Sequence, residues 1–186
     1  MLTSAFGWIG DLAKAIGSFV PRLLIVRSSH RVVKYVCGSE VVLLEPGLHV
    51  YWPLVTEIEP VAVVQQGIDL PTQLVETADG YTLAVGGVAE YEIVDAVRFL
   101  ANTENGFDTI RFVCTAAILR VVRRSDLQEL RSAGDGLERS LTRGAQRLLT
   151  RYGVRVRRVG LSDFARTRAV HLTGAPLAPV NVESHQ

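Results

Sequence analysis

Apolar and polar residues alternate with a period of two through much of residues 30–95, and with a period near 3.6 through residues 106–152. The first pattern predicts short strands. Val32-Val33-Lys34-Tyr35-Val36 is one, Cys37-Gly38-Ser39-Glu40 the turn after it, and Val41 to Leu44 its antiparallel return. Glu45-Pro46-Gly47 has the chemistry of a tight type II reversal. Leu48 to Trp52 gives another strand, stopped by Pro53, and Ile58 to Gln66 and Ile68 to Leu74 follow, separated by Gly67. Pro71 confines the last of these to a sheet edge, because it has no N–H to donate. The longest strand runs from Tyr81 to Ile93. Its apolar positions are Tyr81, Leu83, Val85, Ala89, Tyr91 and Ile93, with Thr82, Glu90 and Glu92 on the opposite face. Gly86-Gly87 in its middle predicts a bulge or a close backbone approach, and Asp79-Gly80 before it a hairpin turn.

Helices come next. Phe107, Ile110, Cys114, Ala117, Ile118 and Val121 predict a helix over Gly106 to Arg124 with one buried stripe. Ser125-Asp126-Leu127-Gln128 reads as a capping box that starts a short helix through Arg131. Gly134-Asp135-Gly136 breaks the chain. Leu137, Leu141, Ala145, Leu148 and Tyr152 define a third helix ending at Gly153, and Val154 to Leu161 is the closing strand. Strands, then helices, then one strand imply an α+β domain: a curved, mainly antiparallel sheet with packed helices.

The N-terminus is patterned differently. Ala5, Ile9, Leu12, Ile16, Phe19 and Val20 fall at helical spacing with Trp8 at the border, while Ser4, Asp11, Lys14 and Ser18 fall opposite. A bilayer-crossing helix takes roughly 20 apolar residues, and charges interrupt this run well before that. The expectation is an amphipathic helix lying in a lipid interface. Leu23-Leu24-Ile25-Val26 adds a second apolar patch whose flanking Arg22 and Arg27 can snorkel to headgroups. Residues 1–27 are therefore read as a membrane-associating segment, contacting lipid through Trp8, Ile9, Leu12, Ile16, Phe19, Val20, Leu23 and Leu24. Residues 28–172 form the domain and residues 173–186, Pro-interrupted and poorly patterned, a flexible tail. No cleavable secretory signal is evident.

Charge sharpens the picture. The net charge is only +1, yet the first hundred residues carry six basic and eleven acidic side chains, and the remainder fourteen and eight. A chain polarised in this way can pair one half with the opposite half of another copy. Arg139, Arg143, Arg147 and Arg151 recur every four residues along the third helix and form the candidate oligomer interface. A solvated face with local ion pairs, such as Glu138 with neighbouring arginines, and contact with anionic lipid are alternative readings of the same stripe. Nucleic acid is not expected, because stacking aromatics are not interleaved with the basic residues.

Chemistry-bearing clusters are absent from the pattern. Cys37 and Cys114 sit in apolar contexts, expected as buried thiols in a reducing compartment. His30, His49, His171 and His185 show no metal-ligand spacing, and Asp79 and Asp95 read as turn and strand-end residues. No catalytic residue, metal or cofactor is expected, and the chain reads as non-enzymatic.

Five short segments in order carry a family resemblance. They are Pro46-Gly47-Leu48-His49 with Pro53 beyond it, Thr77-Ala78-Asp79-Gly80, Tyr91-Glu92-Ile93-Val94-Asp95, Leu127-Gln128-Glu129-Leu130 and Tyr152-Gly153-Val154-Arg155-Val156. Over roughly residues 30–165 the chain resembles the SPFH superfamily, also called Band 7, the stomatin, prohibitin and flotillin group. The resemblance implies a scaffold on one membrane leaflet, at the cytoplasmic face, that self-associates and organises lipids or a membrane protease or channel. Family members usually continue into an Ala/Glu-rich coiled coil. Here Phe164-Ala165-Arg166-Thr167-Arg168 leads into a Pro-containing segment, so lateral packing of globular domains is expected in place of coiled-coil walls. The alternatives are an assembly protein of a larger, for example phage-borne, particle whose N-terminal helix packs on protein, and a basic-face nucleic-acid-binding module.

Overall fold

A computed structural model describes residues 20–166. The N-terminal helix expected before residue 20, with Trp8, Ile9, Leu12, Ile16 and Phe19, lies outside the described residues, as does the tail at 173–186.

Among the described residues, eight strands, all paired antiparallel, divide among three sheets where one curved sheet was expected. β1 (Arg22–Val26) pairs with β4 (Gly47–Tyr51) as a two-stranded ribbon. β2 (His30–Val36) is flanked by β3 (Glu40–Leu44) and β5 (Thr56–Ala62). β6 (Gln66–Glu76), β7 (Thr82–Ile93) and β8 (Val154–Arg166) form the third sheet, with β7 central. Leu23 to Val26 is thus a strand that enters the domain, so the fold starts earlier than residue 28. Gly47 has φ of 150°, not the value near +80° of a type II turn, and Pro46-Gly47 carries the chain from one sheet to the next. The break expected at Gly67 falls earlier, between Ala62 and Gln66.

β7 alternates as predicted, with Leu83, Val85, Ala89, Tyr91 and Ile93 buried. Its register with β8 shifts between Gly86 and Gly87. A Cβ at Gly87 would collide with the Gly160 carbonyl oxygen, so the close backbone approach is real. Pro71 lies on the edge strand β6, where the register against β7 slips between Leu70 and Gln73.

Between β7 and β8 lie four helices: α1 (Ala96–Asn102), α2 (Gly106–Val122), α3 (Leu127–Ser132) and α4 (Gly134–Leu149), the last continuing as a 3-10 turn over Thr150–Tyr152. α1 was not expected. Asp95 caps it by accepting from the Arg98 N–H at 2.9 Å. Gly134 to Gly136 opens α4 instead of interrupting the chain, and Gly153 ends the turn at φ 71°. The main core joins β6, β7 and β8 to α2 and α4 through Leu83, Tyr91, Ile110, Ile118, Leu141 and Leu149. Cys114 is buried there, and burial pushes its thiol up to about 12. Cys37, expected to be buried, is exposed in the β2–β3 turn at φ 50°.

α4 also seals a sheet edge. Gln146 Oε1 accepts from the Val156 N–H at 2.7 Å and Thr142 Oγ1 from the Val159 N–H at 3.0 Å, so β8 does not present a free row of donors.

The capping box takes another form. Asp126 is the N-cap residue of α3 and makes no side-chain cap; the acceptor for the Leu127 N–H is Asp79 Oδ2, 3.1 Å away in the β6–β7 turn. Asp79 Oδ1 takes the hydroxyl proton of buried Thr77 at 2.5 Å. The Thr77 hydroxyl first, then the Leu127 N–H and the Arg166 charge, outweigh burial and hold the Asp79 carboxyl below its ordinary value. Because the folded carboxyl binds its proton less readily than the unfolded one, its contribution is complete above pH ~4 and is lost as pH falls through the folded value. Asp79→Ala is expected to lower Tm by several degrees. Asp79→Asn keeps an acceptor and should instead flatten the fall of Tm between pH 5 and pH 3, as followed by circular dichroism. An acid limb unchanged in Asp79→Asn would reject this role.

Candidate functional site: an apolar ribbon and a basic groove

β1 and β4 carry more apolar side chains than one face can bury. Alternation sends Leu24 and Val26 inward, where they pack with Val32, Leu44, Val42 and Ile58 in a small second core. Leu23 and Ile25 face out, directly opposite Val50 and Leu48. Leu23 is 69% exposed, Ile25 75%, Leu48 66% and Val50 51%. Trp52, Leu54 and Val55 extend the exposed apolar set beyond β4, and Val20 stands exposed just before β1. Contiguous exposed apolar clusters of this kind mark interaction surfaces. Arg22 and Arg27 bracket β1, both exposed. His49, on the inward side of β4, donates from Nε2 to the Glu45 carbonyl at 2.7 Å. Of the residues expected at lipid, Leu23 therefore keeps an outward position, Leu24 turns to the core, and Ile25, Leu48 and Val50 join the outward set. The run of four apolar residues concealed this division, because which residues face out becomes apparent only with the pairing.

The arginine stripe is also divided. Steps of four residues drift around a helix by about 40° each, so four arginines spaced this way cannot stay on one line. Arg143 and Arg147 line a groove between α2 and α4 with Arg120 and Arg124 of the α2 C-terminal end. Arg139 lies beside Thr142 and Arg157. Arg151 stacks on the Tyr152 ring, 4.6 Å from its centre. Glu138 pairs with Arg158 of β8, not with the stripe, and Glu92 takes Arg155 and Arg157 at 2.9 Å each. The Arg157 hydrogen bond leads the influences that hold the Glu92 carboxyl below its ordinary range.

Four of the five sequence segments meet in space, as two pairs. Tyr91, Glu92 and Ile93 face Val156, Arg155 and Val154 across β7 and β8, and the Gly153 carbonyl accepts from Val94 and Asp95 N–H. The turn at Thr77 to Gly80 clasps the start of α3 through Asp79, and the Ala78 N–H donates to the Ser125 carbonyl. These segments hold the fold together and assemble no reactive group. Among the described residues, no group of three or more His, Cys, Asp or Glu could hold a metal ion.

The sequence profile of the SPFH domain / Band 7 family matches residues 24–168. The chain belongs to that family. Its Band 7 domain is 26% identical over 139 residues to a stomatin homolog of Pyrococcus horikoshii, covering 75% of this chain and 52% of that protein. Stomatin-2 of Caenorhabditis elegans is 25% identical over 118 residues, 63% of this chain and 32% of its own. Stomatin of Mus musculus is 24% identical over 118 residues, 63% and 42% of the two chains. The chain thus spans about half the length of the first of these relatives. The profile begins inside β1, so the Band 7 domain includes the ribbon whose outer face is apolar.

Proposed function

We propose that this Band 7 chain is a non-enzymatic, membrane-associated scaffold that rests on lipid through the outer face of the β1–β4 ribbon and self-associates laterally. Family membership supports a membrane-associated scaffold kind of role. The observation that carries the reading is the outward array of Leu23, Ile25, Leu48 and Val50, flanked by Arg22 and Arg27. Apolar residues at the centre with guanidinium groups at the ends suit an interface between acyl chains and phosphate headgroups. Among the described residues no helix is long and apolar enough to cross a membrane. The amphipathic pattern of residues 1–20, with Trp8, Ile9, Leu12, Ile16 and Phe19, adds a second lipid-contacting segment to the same side of the chain's sequence.

Flotation with vesicles containing anionic lipid tests this. The full chain should float, and removal of residues 1–19 should weaken flotation while leaving the ribbon's share. A full chain that stays at the bottom of the gradient rejects the proposal. Truncation past residue 21 is unsuitable, because it removes β1 from the fold.

Lateral association engages the parts of the arginine stripe outside the groove, Arg139 and Arg151, with acidic side chains such as Glu57 and Glu59 of β5 on a neighbouring copy, all four of them exposed. Arg139→Glu with Arg151→Glu should lower the mass measured by light scattering in detergent at low salt, in keeping with screening of such contacts. An unchanged mass at every salt concentration rejects that interface. A membrane protease or channel is the class of client such a scaffold would organise.

A further inference from the structure

We propose that the groove between α2 and α4 binds a ligand carrying two or more phosphate groups. The groove has a volume of about 500 Å³, within the range of small-ligand sites, and is lined by Arg120, Arg124, Arg143, Arg147, Ser125 and Ser140 over an apolar floor. No Asp or Glu is among its lining residues. Among the described residues none of the four arginines has a carboxylate within ion-pair distance, whereas Arg31, Arg98, Arg111, Arg155, Arg157 and Arg158 all do. Other arginines of the described residues also lack a carboxylate partner; what sets these four apart is that they line one groove together.

That arrangement is unfavourable without a counter-charge. α4 contributes Arg143 and Arg147 one turn apart, where like charges repel, and Arg120 near the end of α2 is joined by Arg124 just beyond it. The dipole at a helix C-terminus favours a cation near the end of α2 and another near the end of α4. It does not account for two pairs converging on one groove. Guanidinium forks offer paired donors whose geometry matches phosphate oxygens. Arg143 and Arg147, about 5–6 Å apart at their roots, with Arg120 and Arg124 lining the same groove, suit a ligand with several phosphates better than one with a single charge. The Ser125 and Ser140 hydroxyls supply further donors at the rim. Gly144 also lines the groove, and a Cβ there would make only an ordinary contact with Ala117 at 3.8 Å.

The groove lies far from the ribbon. The N-terminal end of α2, at Gly106 and Phe107, shares a cleft with Pro60, Val61 and Ala62 of β5, on the side of the small sheets. The groove is at the other end of α2, roughly 25 Å along the helix. A lipid touching the β1–β4 face is thus not the source of the phosphates. They come from a soluble ligand or from the headgroups of a second membrane. The proposal stands whether or not the ribbon binds lipid.

Inorganic tripolyphosphate, titrated calorimetrically into the full chain at low salt, is the probe for the soluble source. One-to-one binding is expected, weakened at least about tenfold in Arg120→Gln with Arg143→Gln, since two charge-assisted contacts are lost. Arg98→Gln with Arg111→Gln removes the same charge elsewhere and should change the affinity less than about twofold, as a remote pair does. For the membrane source, phosphatidylcholine vesicles with and without a bis-phosphorylated phosphoinositide are compared in the Ile25→Thr, Leu48→Thr background. Binding that requires the phosphoinositide and the groove arginines assigns the ligand to a headgroup. Three results overturn the proposal: no binding of either probe, equal loss in the groove and control variants, or tighter binding of a hexaglutamate peptide, which would assign the groove to an acidic protein segment.

Discussion

Ile25→Thr combined with Leu48→Thr is expected to reduce vesicle binding about 100-fold without lowering Tm. The two side chains stand opposite each other on the outer face of the ribbon, three-quarters and two-thirds exposed, so neither contributes to the core. Threonine has the β-branched shape that strands favour, so pairing of β1 with β4 survives. Burial of an aliphatic side chain of this size contributes roughly 1.5–3 kcal/mol. Taking the lower value for shallow immersion, loss of both amounts to ~3 kcal/mol, or about two orders of magnitude in partitioning. Leu24→Thr is the contrasting variant. Leu24 packs with Val26, Val32 and Leu44, so the substitution should lower Tm and leave the outward face intact. If the double variant floats as well as the original chain, the ribbon is not the lipid contact. If Leu24→Thr abolishes flotation at temperatures where the domain remains folded, the assignment of faces is wrong.

What the sequence pattern revealed, and what it concealed, follows from the range of the interactions involved. β7 and its hairpin were legible because alternation and the Asp79-Gly80 turn are local signals, and β6 pairs with its neighbour in the chain. The long helices were legible for the same reason. The division into three sheets was not, since β1 pairs with β4 and β2 with β5 across intervening strands, which no local period encodes. α1 is only seven residues long, too short to establish a period, though its Asp95 cap was present in the sequence. The capping of α3 was misplaced because its acceptor lies forty-eight residues away in the chain. The functional surfaces failed in the same manner. Leu23 and Leu24 look equivalent in a run of apolar residues until a partner strand assigns each a face. Arg143 and Arg147 look like members of a four-residue stripe until α2 brings Arg120 and Arg124 beside them.

Gly153→Ala is expected to be among the most damaging single substitutions in the domain, and Gly38→Ala supplies its control. Both glycines have φ 71°, so both alanines suffer the same left-handed strain, roughly 1–2 kcal/mol. Their surroundings differ. A Cβ at Gly38 meets nothing within 4 Å, whereas one at Gly153 would lie 2.6 Å from the Asp95 carbonyl oxygen and 2.8 Å from the Asp95 Cβ. The obstacle is mainly backbone, fixed by hydrogen bonds from Val94 and Asp95 to the Gly153 carbonyl and by the Asp95 cap on α1. Relief of the collision must therefore pull the end of β7 away from the start of β8, where two of the segments that carry the family resemblance meet. We expect Gly38→Ala to cost about 1 kcal/mol and Gly153→Ala about 3–5 kcal/mol in urea unfolding, the latter in the range that signals a specific steric mechanism. Asparagine separates the two contributions, because it tolerates the left-handed conformation but still carries a Cβ. Gly38→Asn should be nearly neutral and Gly153→Asn nearly as damaging as Gly153→Ala. Equal losses at the two positions would show that backbone strain alone matters, and that the contact between Gly153 and Asp95 does not hold these strands together.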